Sequence, residues 1–230
     1  EEEPWLGPRS ATIGRLASRL AALPWDDWGI GRLVAEAAEA LASCDTPTRP
    51  CHGDFWGANL LIEPARRGQP GGAGVIDWEF AQPDASPLAD ATYFVLHSLA
   101  YAHNVRSGDG CRRLFDRLAT ENGLFAWARS VLGDMAARRG VTEACLPAVL
   151  VVTVAADVAR FPAGGTAPGA PAIPAARMAR AVLSRLALED GRLCLERLVQ
   201  AISRCRCAGV RPQSVRGADA SAGAAPPGES

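Results

Sequence analysis

The chain has 230 residues, 48% of them apolar, enough for one ordinary domain or two small ones around a sizeable core. Its 24 basic and 25 acidic residues leave a net charge of −1, and no basic block of the kind that tracks a phosphate backbone is present, which argues against nucleic acid as a partner. All 24 basic residues are arginine, and lysine is absent.

Residues 10–22 read as an amphipathic helix with Ile13, Leu16, Leu20 and Leu23 on one face, stopped by Pro24. Asp26 or Asp27 can cap a second helix running to about Ser43, with Ile30, Leu33, Val34, Ala37 and Leu41 inward. Thr46 to Pro50 is rich in turn formers. Leu60-Leu61-Ile62 and Gly74-Val75-Ile76-Asp77-Trp78 then read as two strands of a hairpin, joined by a solvated Gly, Arg and Pro-rich loop. The glycines at 68, 71, 72 and 74 are not followed by a helix or by a Lys-Ser/Thr pair, so they read as loop rather than as a phosphate cradle.

From Ser86 the pattern is helical. Ser86 as cap and Pro87 at a first helical position open a helix whose buried face carries Leu88, Ala91, Val95 and Leu99. Further helices are expected at 109–120, 122–139, 144–160 and 175–204, with a Pro/Gly/Ala-rich loop at 161–174. A polar, small-residue tail at 207–230 is expected to be disordered. The most apolar run, 144–156, is too short to span a bilayer and holds Pro147, so no membrane partner is expected.

Seven cysteines, an odd number at irregular spacing, read as scattered reduced thiols of a cytoplasmic protein rather than as a disulfide framework. Cys205 and Cys207 lack zinc-knuckle spacing and have no His nearby; Cys51-His52 is a lone pair of potential ligands. The acidic start, Glu1 to Glu3, lacks the charged and apolar regions of a signal peptide, and the missing initial Met points to processing or to a fragment.

The stretch with chemical content runs from Cys51-His52-Gly53-Asp54 through Asn59-Leu60-Leu61-Ile62 to Val75-Ile76-Asp77-Trp78-Glu79. Phosphoryl transfer needs a carboxylate that orients the attacking hydroxyl and accepts its proton, and hard oxygen ligands for a Mg²⁺ that bridges the phosphates. Protein kinases set that carboxylate and an Asn five positions apart, with a second acid at the end of a later strand. Asp54 and Asn59 have that separation. Asn59 leads into one apolar strand and Asp77 ends another, so pairing of the strands would bring the three oxygen-bearing side chains together.

This combination resembles the aminoglycoside phosphotransferase/choline kinase superfamily over about residues 51–94, and Ser86-Pro87-Leu88-Ala89-Asp90 resembles the segment that opens a helix after the metal-binding Asp in that family. The resemblance implies an α+β fold: the mainly helical C-terminal lobe of a protein-kinase-like fold, with a small β-hairpin at the active site. Residues 1–206 would form that lobe: helices over 10–43, catalytic loop and metal hairpin over 51–80, and a helical subdomain over 86–206. It implies an ATP-dependent small-molecule kinase that moves the γ-phosphate of ATP or GTP to a hydroxyl compound. Asp54 would be the catalytic base, Asn59 and Asp77 the Mg²⁺ ligands, and His52 and Asp90 supports of the catalytic loop.

Other residues have plainer readings. His52 is read as a hydrogen-bonded structural His, Phe55 and Trp56 as packing, Trp78 as core, and His97 and His103 as bystanders. Glu79 either faces a cationic substrate or caps a loop. Asp157, the one acid in a strongly apolar helix, either pairs with Arg160 three positions on or touches substrate. Glu79, Asp84 and Asp90 near the site would suit a cationic acceptor.

Full members of the superfamily carry a β-rich N-terminal lobe whose Lys grips the phosphates. Only 50 residues precede Cys51, they read as helices, and no Lys exists to take that role. The expectation is therefore a lobe lacking its ATP-gripping partner, weak or inactive alone, whose missing lobe would come from the same gene. The competing expectation is a non-catalytic small-molecule-binding lobe. A metal hydrolase built on Asp54, Asp77 and Glu79 lacks the His-rich ligand sets of zinc hydrolysis, and no activation-loop signature of a protein kinase follows Asp77.

Overall fold

The computed structural model describes residues 12–66, 71–160 and 174–207, side chains excepted at 174–177, 206 and 207. Eight helices appear among them: α1 Ile13–Ala21, α2 Trp28–Ala40, α3 Ala89–Ala102, α4 Gly108–Thr120, α5 Leu124–Arg138, α6 Leu146–Arg160, α7 Pro174–Leu186 and α8 Glu189–Cys207. Four short strands accompany them: β1 Arg49–Cys51, β2 Leu60–Ile62, β3 Ala73–Val75 and β4 Gln82–Ala85. The α+β expectation holds at this level: a helical body carrying two small antiparallel sheets.

The helix α6 is the axis of the body. Its sequence is apolar all round, and Leu146, Ala148 to Ala155 and Val158 are buried, because α1, α2, α3, α7 and α8 surround it. Its run of β-branched residues has modest helix propensity, which burial on every side overrides. Pro147 sits in the first turn, where no intrahelical donor is lost. The amphipathic readings of the first two helices hold, with Ile13, Leu16, Leu20, Ile30, Leu33, Val34, Ala37 and Leu41 all buried. Leu23 lies beyond the end of α1 and is 42% exposed, contrary to its inward placement from the sequence. Asp27 is the cap of α2: its Oδ1 accepts from the N–H groups of Gly29 at 2.8 Å and Ile30 at 3.2 Å.

The expected hairpin is present. Strands β2 and β3 pair antiparallel with Leu60 opposite Val75, Leu61 opposite Gly74 and Ile62 opposite Ala73. The second strand stops at Val75, two residues before Asp77. A second ribbon, not foreseen, pairs β1 with β4, so the Thr46–Pro50 stretch runs into a strand rather than only a turn.

Two helix readings need correction. Helix α3 begins at Ala89, with Leu88 at its cap position; the Ser86 hydroxyl instead pairs with Thr153 Oγ1 at 2.5 Å in the core, and Thr153 donates to the Val149 carbonyl at 2.6 Å. The segment 175–204 is two helices. The chain breaks at Ala187–Leu188, and Gly191 passes so close to α7 that a Cβ there would lie 1.8 Å from the Arg185 carbonyl oxygen. The loop expected at 161–174 and the tail expected at 207–230 fall outside the described residues, apart from Pro174 and Cys207 at helix ends. No helix of the described residues is long and apolar enough to cross a membrane.

Leu99 of α3 is fully buried in the core shared by these helices. Leu99→Ala is expected to cost about 2–5 kcal/mol of unfolding free energy, read as a lower urea midpoint at unchanged slope.

Candidate active site

The segment Cys51–Asn59 leaves β1, loops past the start of α3 and turns through a one-turn 3₁₀ helix, Gly57–Asn59, into β2. What holds it is a carboxylate. Asp90, in the first turn of α3, accepts from the backbone N–H of His52 at 2.9 Å and of Gly53 at 3.0 Å, one bond per oxygen. A negative charge is favoured at that helix end. The His52 ring is buried and links the loop to the hairpin: its Nε2 donates to the Ile76 carbonyl at 2.8 Å, while its Nδ1 accepts from the Asp54 N–H at 3.3 Å. A carbonyl can only accept, so the tautomer carries its proton on Nε2. Trp78, expected in the core, is 54% exposed; its ring lies 4.7 Å from that of His52 and its Nε1 donates to the Val75 carbonyl at 3.0 Å.

Asp54 is half-buried, and both its oxygens are engaged. Oδ2 accepts from Asn59 Nδ2 at 3.0 Å, and the same amide also donates to the Asp54 carbonyl at 2.9 Å. Oδ1 accepts from the Tyr93 hydroxyl at 2.5 Å. Burial and the Asp54 charge push the Tyr93 phenol well above its ordinary pKa, so it remains a donor at any working pH. Tyr93 escaped the sequence reading because it sits on the inward side of α3 among apolar residues. The available signal was its hydroxyl, since a buried phenol needs a partner. His97, read as a bystander, stacks on Tyr93 with ring centroids 4.2 Å apart, and burial drives its pKa down to about 4. Trp56, read as packing, is 37% exposed with its ring 6.1 Å from that of His97.

Asn59 spends its Nδ2 on Asp54, which leaves its Oδ1 as the amide atom with no protein partner among the described residues. Its carbonyl accepts from the Ile76 N–H at 3.1 Å, so Asp77 follows directly on the residue paired with Asn59. Asp77 is exposed, has a left-handed backbone (φ 65°, ψ 63°) and starts a one-turn 3₁₀ helix, Trp78–Phe80, with no side-chain cap bond. The amide oxygen of the buried Asn59 and the exposed Asp77 carboxylate are hard oxygen donors of the kind that suit a cation completing its shell with phosphate oxygens and water. Among the described residues no group of three or more His, Cys, Asp or Glu is placed to hold a metal ion.

The other acids separate. Glu79 is exposed, beside Asp77 in sequence. Asp84 is paired with Arg19 at 2.6 Å, and Asp90 is spent on the loop backbone, so of the three acids read as attracting a cationic acceptor only Glu79 is uncommitted. Asp157 lines a cavity of about 20 Å³ with Cys51, Gly53, Asp90, Tyr93 and Arg160, room for one water. Burial raises its pKa to about 7, against the opposing charge of Arg160 and with help from Asp90. The Arg160 guanidinium reaches past it to two backbone carbonyls, those of Gly53 and Phe80, both at 2.7 Å. Burial, aided by Asp90, likewise pushes the Cys51 thiol up to about 12, so without a cation beside it the thiol stays protonated near neutral pH.

The helical body thus presents a carboxylate, an amide oxygen five residues on and an exposed acid after a paired strand. The model of the phosphotransferase enzyme family (APH) matches residues 1–130, more than half of the chain, and the chain belongs to that family. No curated protein and no solved structure matches the chain.

Asp157 supplies a pH prediction. Its folded pKa lies above the ordinary carboxylate value, so its favourable contribution is complete below about pH 4 and is lost as pH rises through about 7. Asp157→Asn should therefore raise Tm at pH 8 and leave it unchanged near pH 4, read by thermal melts across that range.

Proposed function

We propose that this chain carries the catalytic machinery of a small-molecule kinase, which transfers the γ-phosphoryl group of ATP or GTP to a hydroxyl of a small molecule. The observation that carries the reading is the fixed Asp54 carboxylate, tied at one oxygen by Asn59 and at the other by Tyr93, with the Asn59 amide oxygen left over. On this reading Asp54 accepts a hydrogen bond from the acceptor hydroxyl, holds its oxygen in line with the phosphorus and takes the proton as the new O–P bond forms. The bond from phosphorus to the bridging oxygen breaks, and the nucleoside diphosphate leaves with that oxygen.

Asn59 Oδ1 and Asp77 would hold Mg²⁺, which when bound supplies charge neutralisation at the phosphate oxygens. His52 and Asp90 fix the loop. Glu79, exposed and two residues after Asp77, would meet a positive group on the acceptor. The kinase-like lobe architecture is part of the same proposal, supported by the family and by the paired hairpin in which Asn59 bonds Ile76, the residue before Asp77.

With no lysine in these 230 residues, the phosphates are held here by something other than a lysine. Arginine matches its charge but not its compact, strongly hydrated form. We therefore read the chain by itself as a weak nucleotide binder with slow turnover, completed by an ATP-gripping lobe of the same gene product. The same absence favours one second reading, a lobe that binds a small molecule without catalysis.

The test is radiolabelled phosphoryl transfer from Mg-ATP to a panel of amino alcohols, sugars and aminoglycosides, run with the wild-type chain and Asp54→Asn. The kinase reading expects a slow rate above background that falls roughly 10²-fold or more in the variant, with acceptor binding retained. Acceptor binding in both proteins without transfer in either would replace it with the binding-lobe reading.

A further inference from the structure

Two backbone segments carry the groups assigned above to base and cation chemistry: the Gly53–Asn59 loop and the Asp77–Phe80 turn. Sequence separates them, and the short β2–β3 and β1–β4 ribbons join them at one edge each. A third connection comes from the far side of the body. Arg160 is the last residue of α6, whose preceding turns, Ala148 to Ala155, are buried in the core.

From there one guanidinium nitrogen donates to the Gly53 carbonyl and the other to the Phe80 carbonyl, each at 2.7 Å, across 107 and 80 residues of sequence. The guanidinium carbon also lies 5.0 Å from the centre of the Phe80 ring. Gly53 is adjacent to Asp54, and Phe80 is three residues after Asp77.

The three segments meet without slack. Gly53 has φ +80°, and a Cβ there would come within 2.3 Å of the Phe80 carbonyl oxygen and 2.6 Å of an Arg160 nitrogen. Gly53 is thus held at its N–H by Asp90 and at its carbonyl by Arg160. A planar fork can serve two carbonyls at once in fixed directions; a lysine ammonium at the end of a flexible stem lacks that geometry.

We propose that Arg160 is a positioning residue that sets the distance and orientation between the Asp54 loop and the Asp77 turn. It acts through the two backbone carbonyls of Gly53 and Phe80. The catalytic part of this inference rests on the kinase reading; the clamp itself rests on the geometry.

The experiment uses the full chain with Arg160→Ala and Arg160→Lys. Amide hydrogen exchange is followed by mass spectrometry over 52–57 and 77–82, beside phosphoryl-transfer kinetics with and without added guanidinium. Faster exchange in both segments, with α1 to α5 unchanged, is expected for both variants.

In transfer, kcat should fall by about 10²-fold with little change in acceptor KM, should not be restored by lysine, and should recover in part when guanidinium is added to the alanine variant. Unchanged exchange in either segment, or full kcat in Arg160→Lys, would overturn the proposal. If Arg160→Ala loosens the whole body, the lysine variant, which keeps the stem and charge, decides by the same two readouts. If the wild-type chain transfers no phosphoryl group, the kinase reading falls, while the exchange result still decides the clamp.

Discussion

The site depends on the Asp90 carboxylate and the two loop N–H groups it accepts. The loop from Cys51 to Asp54 has no strand partner for those donors, and a buried N–H left without an acceptor costs about 1–3 kcal/mol. Asp90 satisfies both from the first turn of α3, where the helix favours negative charge. Everything the site needs follows from that anchor. His52 is held so that its ring can reach the Ile76 carbonyl, and Ile76 in turn pairs with Asn59 and precedes Asp77. One carboxylate on a helix thereby fixes a loop, and the loop fixes a hairpin.

The body exists to hold that helix still. Leu88, Val95 and Leu99 place α3 in the common core. Behind the loop, Ser86 and Thr153 lock the start of α3 to α6 by a buried hydroxyl pair. The polar groups closest to Asp54 are kept neutral or spoken for: burial keeps the Tyr93 phenol protonated and keeps the stacked His97 uncharged down to about pH 4. The Asp54 carboxylate therefore sits between groups that orient it by hydrogen bonds.

Local pattern carried much of this into the sequence. The 3.6-residue spacing of α1, α2 and α3, the capping Asp27, and the His-Gly-Asp, Asn and Ile-Asp elements were legible because each depends on neighbours within about five positions. What escaped depends on contacts far apart in the chain. Strand β1 is three residues long and contains Pro50, so it has no alternation to read, and its partner lies past the whole hairpin.

Tyr93 sits among core residues and is distinguished only by its hydroxyl. Arg160 was weighed against Asp157, its near neighbour, while its guanidinium bonds carbonyls 107 and 80 residues away. The break between α7 and α8 had a local signal, Glu189 and Asp190 in the first turn of a new helix, which the single helix expected over 175–204 passed over.

The central claim is that Asn59 and Asp77 together make a site for a hard divalent cation in a phosphotransferase. Its most direct test is Mn²⁺ binding by electron paramagnetic resonance, with Mn²⁺ standing in for Mg²⁺, in the wild-type chain and in Asp77→Asn, with ATP present. The account predicts one bound Mn²⁺ per chain that Mg²⁺ displaces and that the substitution removes. Equal Mn²⁺ binding by both proteins, or none by the wild-type chain with ATP, would contradict it.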